Sequence, residues 1–191
     1  MTVKSVPVGI SNRHIHISKV DLDILFGEGY ELTNYINLSQ PGQYATHEKV
    51  DIVGPKGTLK SVRILGPTRK ETQVEISITD GFVLGVNPPV RDSGDINDSP
   101  GAKIVGPKGE VILQKGIIAA ARHIHMHTKD AENFDVKDTD IVNVKVGGKR
   151  GLVFDNVLVR VHPTYALEMH IDIDEANAAR LKNGDKLEMI K

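Results

Sequence analysis

The tetrapeptide Arg-His-Ile-His occurs twice in this chain of 191 residues, once near the start and once in the second half. Alternate side chains of a β-strand share one face of the sheet, so His14 and His16 of the first copy lie on one side while the isoleucines point to the other. His123 and His125 of the second copy stand in the same relation. Two neutral imidazoles on one strand face are a ready-made pair of metal ligands, so the chain contains two candidate metal-binding pairs.

The same pattern also suits the outward face of an ordinary amphipathic strand, where histidine is as acceptable as threonine or lysine. Two features favour the metal-binding interpretation. The same arginine precedes both pairs, and of the 8 histidines in the chain five lie in these two runs, the fifth being His127. A single His-x-His would leave the two interpretations even, whereas its repetition favours metal binding.

The composition narrows the classes of function. Lys and Arg number 24 and Asp and Glu number 25, which argues against binding of nucleic acid or a membrane surface through bulk electrostatics. The chain has no cysteine, so any metal must be held by histidine and carboxylate, and a cysteine nucleophile is excluded. With no apolar signal core near its start and no run of about 18 apolar residues, the sequence predicts a soluble, cytoplasmic protein.

Short segments rich in Val, Ile and Thr, broken by Gly-Pro and Gly-Gly, predict many short strands and few helices. A first strand is predicted over residues 6–17. A helix should then begin after Ser18, which suits an N-cap, and end at Gly27 or Gly29. A second helix is predicted near the C-terminus, starting around Asp172.

A hexapeptide, Ile-Val-Gly-Pro-Lys-Gly, also occurs twice, over residues 52–57 and 104–109. Each copy lies between segments of alternating apolar residues and predicts a hairpin turn. The two hexapeptides are closer together along the chain than the two tetrapeptides, so a simple tandem duplication does not explain both. We infer two similar β units whose strands need not be consecutive, and we expect small closed barrels rather than an α/β sheet.

Other side chains are candidates for metal binding, acid–base catalysis or phosphate binding. Glu75 alternates with apolar residues and is a candidate metal ligand or base on a rigid strand, although an exposed strand glutamate fits the pattern equally well. Arg69 follows a Gly-Pro turn and Arg91 lies in a loop, where either guanidinium could bind phosphate or simply be solvated. His170, just before the last predicted helix, carries no signal by itself.

Six segments, taken together, closely resemble the PduL-type phosphotransacylases, and the match runs in order from about residue 6 to the C-terminus. The matching segments are residues 12–18, 39–45, 65–77, 89–95, 122–125 and His170 with residues 174–177. Members of that family are phosphate acyltransferases with two β-barrels and a two-zinc site between them. The resemblance therefore implies two Zn²⁺ per chain and CoA as a substrate.

The resemblance also implies a role for each candidate residue. It gives two sets of zinc ligands, His14, His16 and Glu75 for one ion, and His123, His125 and His170 for the other. Arg69 matches the family's arginine beside the metals and would hold phosphate. We expect Arg69 and Glu75 to be catalytic, and Arg69 and Arg91 to contact the phosphate or CoA.

The implied fold is mainly β, with two small β-barrels, short capping helices and an interleaved order in sequence. Residues 1–12 and 121–191 would form the first barrel, and residues 13–120 the second. The implied activity interconverts acyl-CoA (propanoyl-CoA or acetyl-CoA) and phosphate with acyl phosphate and CoA. Direct transfer is expected, because no cysteine or recognisable serine triad is present to form an acyl-enzyme.

Two alternatives remain open: a zinc-dependent acyl-CoA thioesterase, and a noncatalytic zinc-binding protein on the same scaffold. The resemblance further implies a homodimer and a link to propanediol degradation. The balanced charge and the lack of a long apolar run argue against nucleic acid or a membrane as a partner. Relatives sent to a bacterial microcompartment carry an amphipathic N-terminal extension. Only a few residues precede the first predicted strand here, so we expect a cytoplasmic enzyme rather than one in the microcompartment lumen.

Overall fold

A computed structural model of the chain describes residues 4–190, which form 15 strands and 4 short helices. The strands are β1 (Ser5–Ser11), β2 (His14–Ser18), β3 (Asn34–Asn37), β4 (Tyr44–Val53), β5 (Thr58–Arg69), β6 (Gln73–Glu75), β7 (Val90–Arg91), β8 (Ala102–Val105), β9 (Glu110–Leu113), β10 (Ile117–Ala120), β11 (His123–Met126), β12 (Ile141–Val146), β13 (Leu152–Val161), β14 (Glu168–Asp172) and β15 (Lys186–Ile190). The helices are α1 (Lys19–Phe26), α2 (Ile78–Leu84), α3 (Thr128–Phe134) and α4 (Ile173–Ala179). None of these helices is long and apolar enough to span a membrane.

The described residues divide into two compact units. Unit 1 comprises the described residues through Ser11, the short segment Ser39–Pro41 and the described residues from Ala121 onward, and unit 2 comprises Asn12–Leu38 and Gly42–Ala120. The single strand predicted over residues 6–17 is wrong, because its halves are β1 in unit 1 and β2 in unit 2. Asn12 lies between β1 and β2, and its side-chain oxygen accepts a hydrogen bond from the backbone N–H of Arg13.

Unit 1 is a closed barrel with the strand order β1-β14-β11-β13-β12-β15. In β14, Met169 and Ile171 are completely or almost completely buried, and they alternate with polar residues on the other face. The same alternation in β11 buries Ile124 and Met126 in the same core. Strand periodicity thus fills the barrel with apolar side chains and presents the histidines on the opposite face.

Unit 2 is built on a sheet with the order β7-β10-β6-β2-β5-β4-β8-β9, to which β3 adds by pairing with β4, and the sheet curls into a half-barrel. Its core contains Ile15 and Ile17 from β2, and Val74 from β6. The prediction of a mainly β fold with small barrels and short helices is confirmed.

The predicted helix after Ser18 is confirmed as α1. The Ser18 hydroxyl accepts a hydrogen bond from the Asp21 N–H at 3.1 Å, and the helix ends at Gly27, whose φ of 111° suits glycine. The predicted C-terminal helix is α4, capped by Asp172. Helices α2 and α3 were not predicted from the sequence.

The two hexapeptides form the predicted hairpin turns, residues 54–57 between β4 and β5 and residues 106–109 between β8 and β9. Each turn also closes the end of a helix. The lysine N–H of the first turn donates to the carbonyl of Leu84 in α2, and that of the second donates to Leu25 in α1, both at 2.9 Å. A Cβ at Gly106 would lie 2.6 Å from the Leu25 oxygen, so close packing requires glycine there.

Candidate metal centres

One local pattern recurs four times in the structure: polar, apolar, polar, apolar, and then the N-cap residue of a helix. The four copies are residues 14–18, 73–77, 123–127 and 168–172. In each copy the two polar side chains share one face of the strand, because strand side chains alternate. The helices that follow are α1, α2, α3 and α4, so each pair of polar side chains lies on a strand that a capped helix continues.

In unit 2, two of these copies pair as antiparallel neighbours. Strand β2 places His14 opposite Glu75 and His16 opposite Gln73 of β6. The Nε2 atoms of His14 and His16 are 3.2 Å apart, and they lie 3.4 Å and 3.6 Å, respectively, from the Glu75 carboxylate oxygens. Ligand atoms of a tetrahedral zinc site with bonds of about 2.0–2.1 Å lie roughly 3.3 Å from one another. The group therefore has the composition and spacing of a zinc-binding set.

The hydrogen bonding and burial of these histidines are compatible with metal binding. The Nδ1–H of His14 donates to the carbonyl of Asn12 at 2.8 Å, so the electron pair of the neutral ring lies on Nε2. Burial lowers the pKa of His16 to about 4, so this imidazole is neutral at pH 7. Both nitrogens that face Glu75 are thus available as ligands.

Glu75 is held by residues that the sequence analysis did not single out. Ser93 Oγ donates to its Oε1 at 2.7 Å, and Gln73 Nε2 donates to the same atom at 2.6 Å. Burial opposes ionisation of Glu75, but His14, His16 and the hydrogen bond from Ser93 outweigh it and hold the pKa of this carboxyl well below its usual range.

Arg69 reaches the same network. Its Nη1 donates to Ser93 Oγ at 3.2 Å, so the guanidinium is one residue removed from the Glu75 carboxylate. Arg91 instead forms an ion pair with Asp95 at 3.5 Å, and its Nε is buried without a hydrogen-bond partner among the described residues. The predicted roles of both arginines in binding substrate remain predictions.

In unit 1, the other two copies pair in the same way. Strand β11 places His123 opposite His170 and His125 opposite Glu168 of β14. One nitrogen from each of the three histidines lies within 4.8 Å of the others. The Nδ1–H of His123 donates to the carbonyl of Ala121 at 2.8 Å, which repeats the arrangement of the first histidine in unit 2.

His125 is a buried member of this group. Burial, with help from the neighbouring His123 and His170, lowers its pKa well below the ordinary value for histidine, so the ring is neutral at pH 7. Its Nδ1 is buried and has no hydrogen-bond partner within the described part of the chain. A buried polar atom without a partner is costly, and a bound metal would satisfy such a group. The residues of unit 1 therefore also fit a metal ion.

Glu168 completes the face shared by the three histidines, and the sequence analysis did not single it out. Its Oε2 lies 2.7 Å from Nε2 of His170 and accepts a short hydrogen bond from the Ser39 hydroxyl. Burial opposes its ionisation, but the hydrogen bonds from His170 and Ser39 outweigh burial and lower the pKa of Glu168. Its position could be found only from the pairing of β11 with β14.

Fold and sites together define a mainly β protein whose two units each carry one group of potential metal ligands. The chain belongs to the phosphate propanoyltransferase family, whose model matches residues 7–182. This finding confirms the resemblance that the six sequence segments indicated.

Individual relatives match over nearly the whole chain. The phosphate propanoyltransferase of Thermotoga maritima is 61% identical over 185 residues, which cover 96% of this chain and 88% of the relative. Those of Rhodopseudomonas palustris and Listeria monocytogenes are each 52% identical over 186 residues, which cover 97% of this chain and 82% and 87% of the relatives. The protein is accordingly an enzyme of the transferase class, as predicted.

Proposed function

We propose that the enzyme interconverts propanoyl-CoA and inorganic phosphate with propanoyl phosphate and CoA, that it also accepts acetyl-CoA, and that it does so with zinc bound in each unit. The observation that carries the proposal is the occurrence of a ligand group in both units of a chain from the phosphate propanoyltransferase family. A balanced composition without cysteine agrees with it, because histidine and carboxylate are the metal ligands the chain can offer.

Two groups would hold the metal, His14, His16 and Glu75 in unit 2 and His123, His125 and His170 in unit 1. When bound, zinc supplies a Lewis acid with a preference for thiolate, which lowers the pKa of the CoA thiol and makes it a good leaving group. The protein keeps His16 and His125 neutral by burial, so neither must lose a proton at pH 7 before it can act as a ligand.

Arg69 is the residue we propose for phosphate. A guanidinium can donate two parallel hydrogen bonds to a phosphate, and it remains charged at all relevant pH values. Its contact with Ser93, which itself donates to Glu75, supports a position for the bound anion beside the unit 2 ligands. Arg91 would make a second contact to phosphate or CoA.

The transfer itself is direct. An oxygen of phosphate attacks the thioester carbonyl carbon, a new carbon–oxygen bond forms, and the carbon–sulfur bond breaks with its electron pair passing to the sulfur of CoA. The chain contains no cysteine to carry the acyl group between the two steps of a covalent mechanism. Holding both substrates together replaces that intermediate, because it turns an encounter of two molecules into a reaction within one complex.

The test is release of the free CoA thiol from propanoyl-CoA and acetyl-CoA by the zinc-loaded enzyme, with and without inorganic phosphate. We expect release that depends on phosphate with both substrates. Equal release without phosphate would replace the proposal with a zinc-dependent thioesterase, which uses water in place of phosphate. The absence of any release would favour a noncatalytic zinc-binding protein. A homodimer stays a prediction, which sedimentation velocity can test.

A further inference from the structure

The two candidate ligand groups have the same strand arrangement, and in each arrangement one polar position lies outside the ligand group. In each unit, two antiparallel strands present four polar side chains on one face, and three of the four form the candidate metal group. The fourth side chain in unit 2 is the neutral amide of Gln73, opposite His16. The fourth in unit 1 is the carboxylate of Glu168, opposite His125.

This difference balances the charge of the two groups. A divalent ion on His14, His16 and Glu75 would retain one positive charge, because the set includes one carboxylate. The same ion on three neutral histidines would retain two. The carboxylate of Glu168 lowers this to one, so the three-histidine group together with Glu168 matches the charge of the group in unit 2.

Glu168 also fixes the ring of His170. A carboxylate only accepts hydrogen bonds, so the contact of 2.7 Å between Oε2 and Nε2 of His170 requires the proton on Nε2. In that tautomer the electron pair of the neutral ring lies on Nδ1. His123 has its proton on the other ring nitrogen, because its Nδ1–H donates to the Ala121 carbonyl. A carboxylate on the second nitrogen of a metal-bound histidine orients the ring and raises its basicity.

The position of the Glu168 carboxylate is built by three other residues. Gly9 lies on β1 next to β14, and a Cβ at Gly9 would come within 2.7 Å of the Glu168 carboxyl carbon and 2.9 Å of Oε2. Ser39 donates its hydroxyl to Oε2. Gln40 holds the preceding segment, with hydrogen bonds of 2.9 Å and 3.2 Å to the carbonyl and N–H of Ala166.

We propose that Glu168 is a positioning residue of the unit 1 metal centre: it orients His170 for the ion and neutralises part of the ion's charge, in a space that Gly9 keeps open. This inference rests on the metal sites of the proposed function. It concerns a residue outside both ligand groups, and it predicts that Gly9, which offers no side chain at all, controls zinc affinity through Glu168.

The experiment measures zinc affinity by competition with a chromogenic chelator, in the full-length His16→Ala protein, so that the unit 2 group lacks one ligand. In that parent we expect Glu168→Gln to weaken zinc binding by about ten- to a hundredfold, the usual effect of losing such a partner. Gly9→Ala should also weaken zinc binding. In a protein that already carries Glu168→Gln, Gly9→Ala should cause no further loss of zinc affinity. The matched control is Glu188→Gln, the same change on β15 of the same barrel, which should leave affinity unchanged.

A second measurement separates positioning from a merely structural role. The midpoint of thermal unfolding without metal should be nearly the same for the Glu168→Gln protein and its parent, whereas the stabilisation gained on adding zinc should shrink. Unchanged zinc affinity in the Glu168→Gln protein would overturn the inference. It would also be overturned if Gly9→Ala lowered zinc affinity by the same factor with and without the Glu168 carboxylate. These results leave the proposed function intact. A parent that binds no zinc in unit 1 would instead contradict the metal assignment itself.

Discussion

Arg13 Nη2 lies 3.0 Å from Asp80 Oδ1, and the second arginine of the repeated tetrapeptide makes an equivalent contact, since Arg122 Nε lies 3.0 Å from Glu175 Oε1. Asp80 lies in the first turn of α2, which follows β6, and β6 pairs with the histidine strand β2. Glu175 lies in the first turn of α4, which follows β14, and β14 pairs with the histidine strand β11. The arginine therefore joins the two strands that present one ligand group. This explains why the repeated unit includes the arginine as well as the histidines.

Arg13→Met should destabilise the protein by roughly 1–3 kcal/mol, because it removes the cation from the buried Asp80 carboxylate. Unfolding in denaturant measures the loss, and Arg150→Met at an exposed position serves as the control. Adding Asp80→Asn to Arg13→Met should recover part of the stability. If the double variant loses the sum of both single effects, the pair does not act as a unit.

Gly106→Ala should destabilise the protein by about 1–3 kcal/mol, because the new Cβ would lie 2.6 Å from the Leu25 carbonyl oxygen at the end of α1. Gly147→Ala is the control, since a Cβ at that position meets nothing within 4 Å. The measurement is the free energy of unfolding of both variants. Equal stability of the two would show that the hexapeptide turn and the helix end do not pack as described.

Ser93→Ala should weaken zinc binding in unit 2 by about tenfold, because Glu75 loses a hydrogen bond that keeps it ionised and oriented. Chelator competition in the His125→Ala protein reports mainly on the unit 2 group. The same substitution in the His16→Ala protein is the control and should leave the affinity of unit 1 unchanged. A loss of equal size in both backgrounds would indicate a general effect on folding.

Arg69→Ala should raise the KM for phosphate by about ten- to a hundredfold, the cost of losing charged hydrogen bonds of about 1.5–3 kcal/mol, with little change in the KM for CoA. Steady-state kinetics in both directions measure this, and Lys70→Ala at the exposed neighbouring residue is the control. If the KM for CoA rose by the same factor as the KM for phosphate, Arg69 would not be a specific phosphate ligand.

Local periodicity was enough to find the parts of the site that alternate along one strand. It paired His14 with His16 and His123 with His125, and it gave Glu75 as a candidate. His170 stands alone in its segment, so only the family resemblance assigned it a role, and the structure brings it beside His123 through the pairing of β11 with β14.

Residues whose positions depend on cross-strand register or on loops could not be found in this way. Gln73 and Glu168 stand opposite histidines only because β6 and β14 run antiparallel to their neighbours. Ser93 reaches Glu75 from a loop. Helix α2 contains Gly81 and helix α3 is capped by His127 rather than by a stronger N-cap residue, so neither carried a clear helix signal.

If the enzyme makes acyl phosphate with the help of metal bound by these histidines, removal of the metal must stop the reaction. The most direct measurement is the formation of propanoyl phosphate from propanoyl-CoA and phosphate, by protein that has been stripped of metal and then reloaded with zinc. We expect that removal of the metal abolishes formation of propanoyl phosphate and that zinc restores it, with one propanoyl phosphate per CoA released. We also expect zinc to restore activity to the His47→Ala protein but not to the His14→Ala and His123→Ala proteins. Full activity of stripped protein, or of both ligand variants, would contradict it.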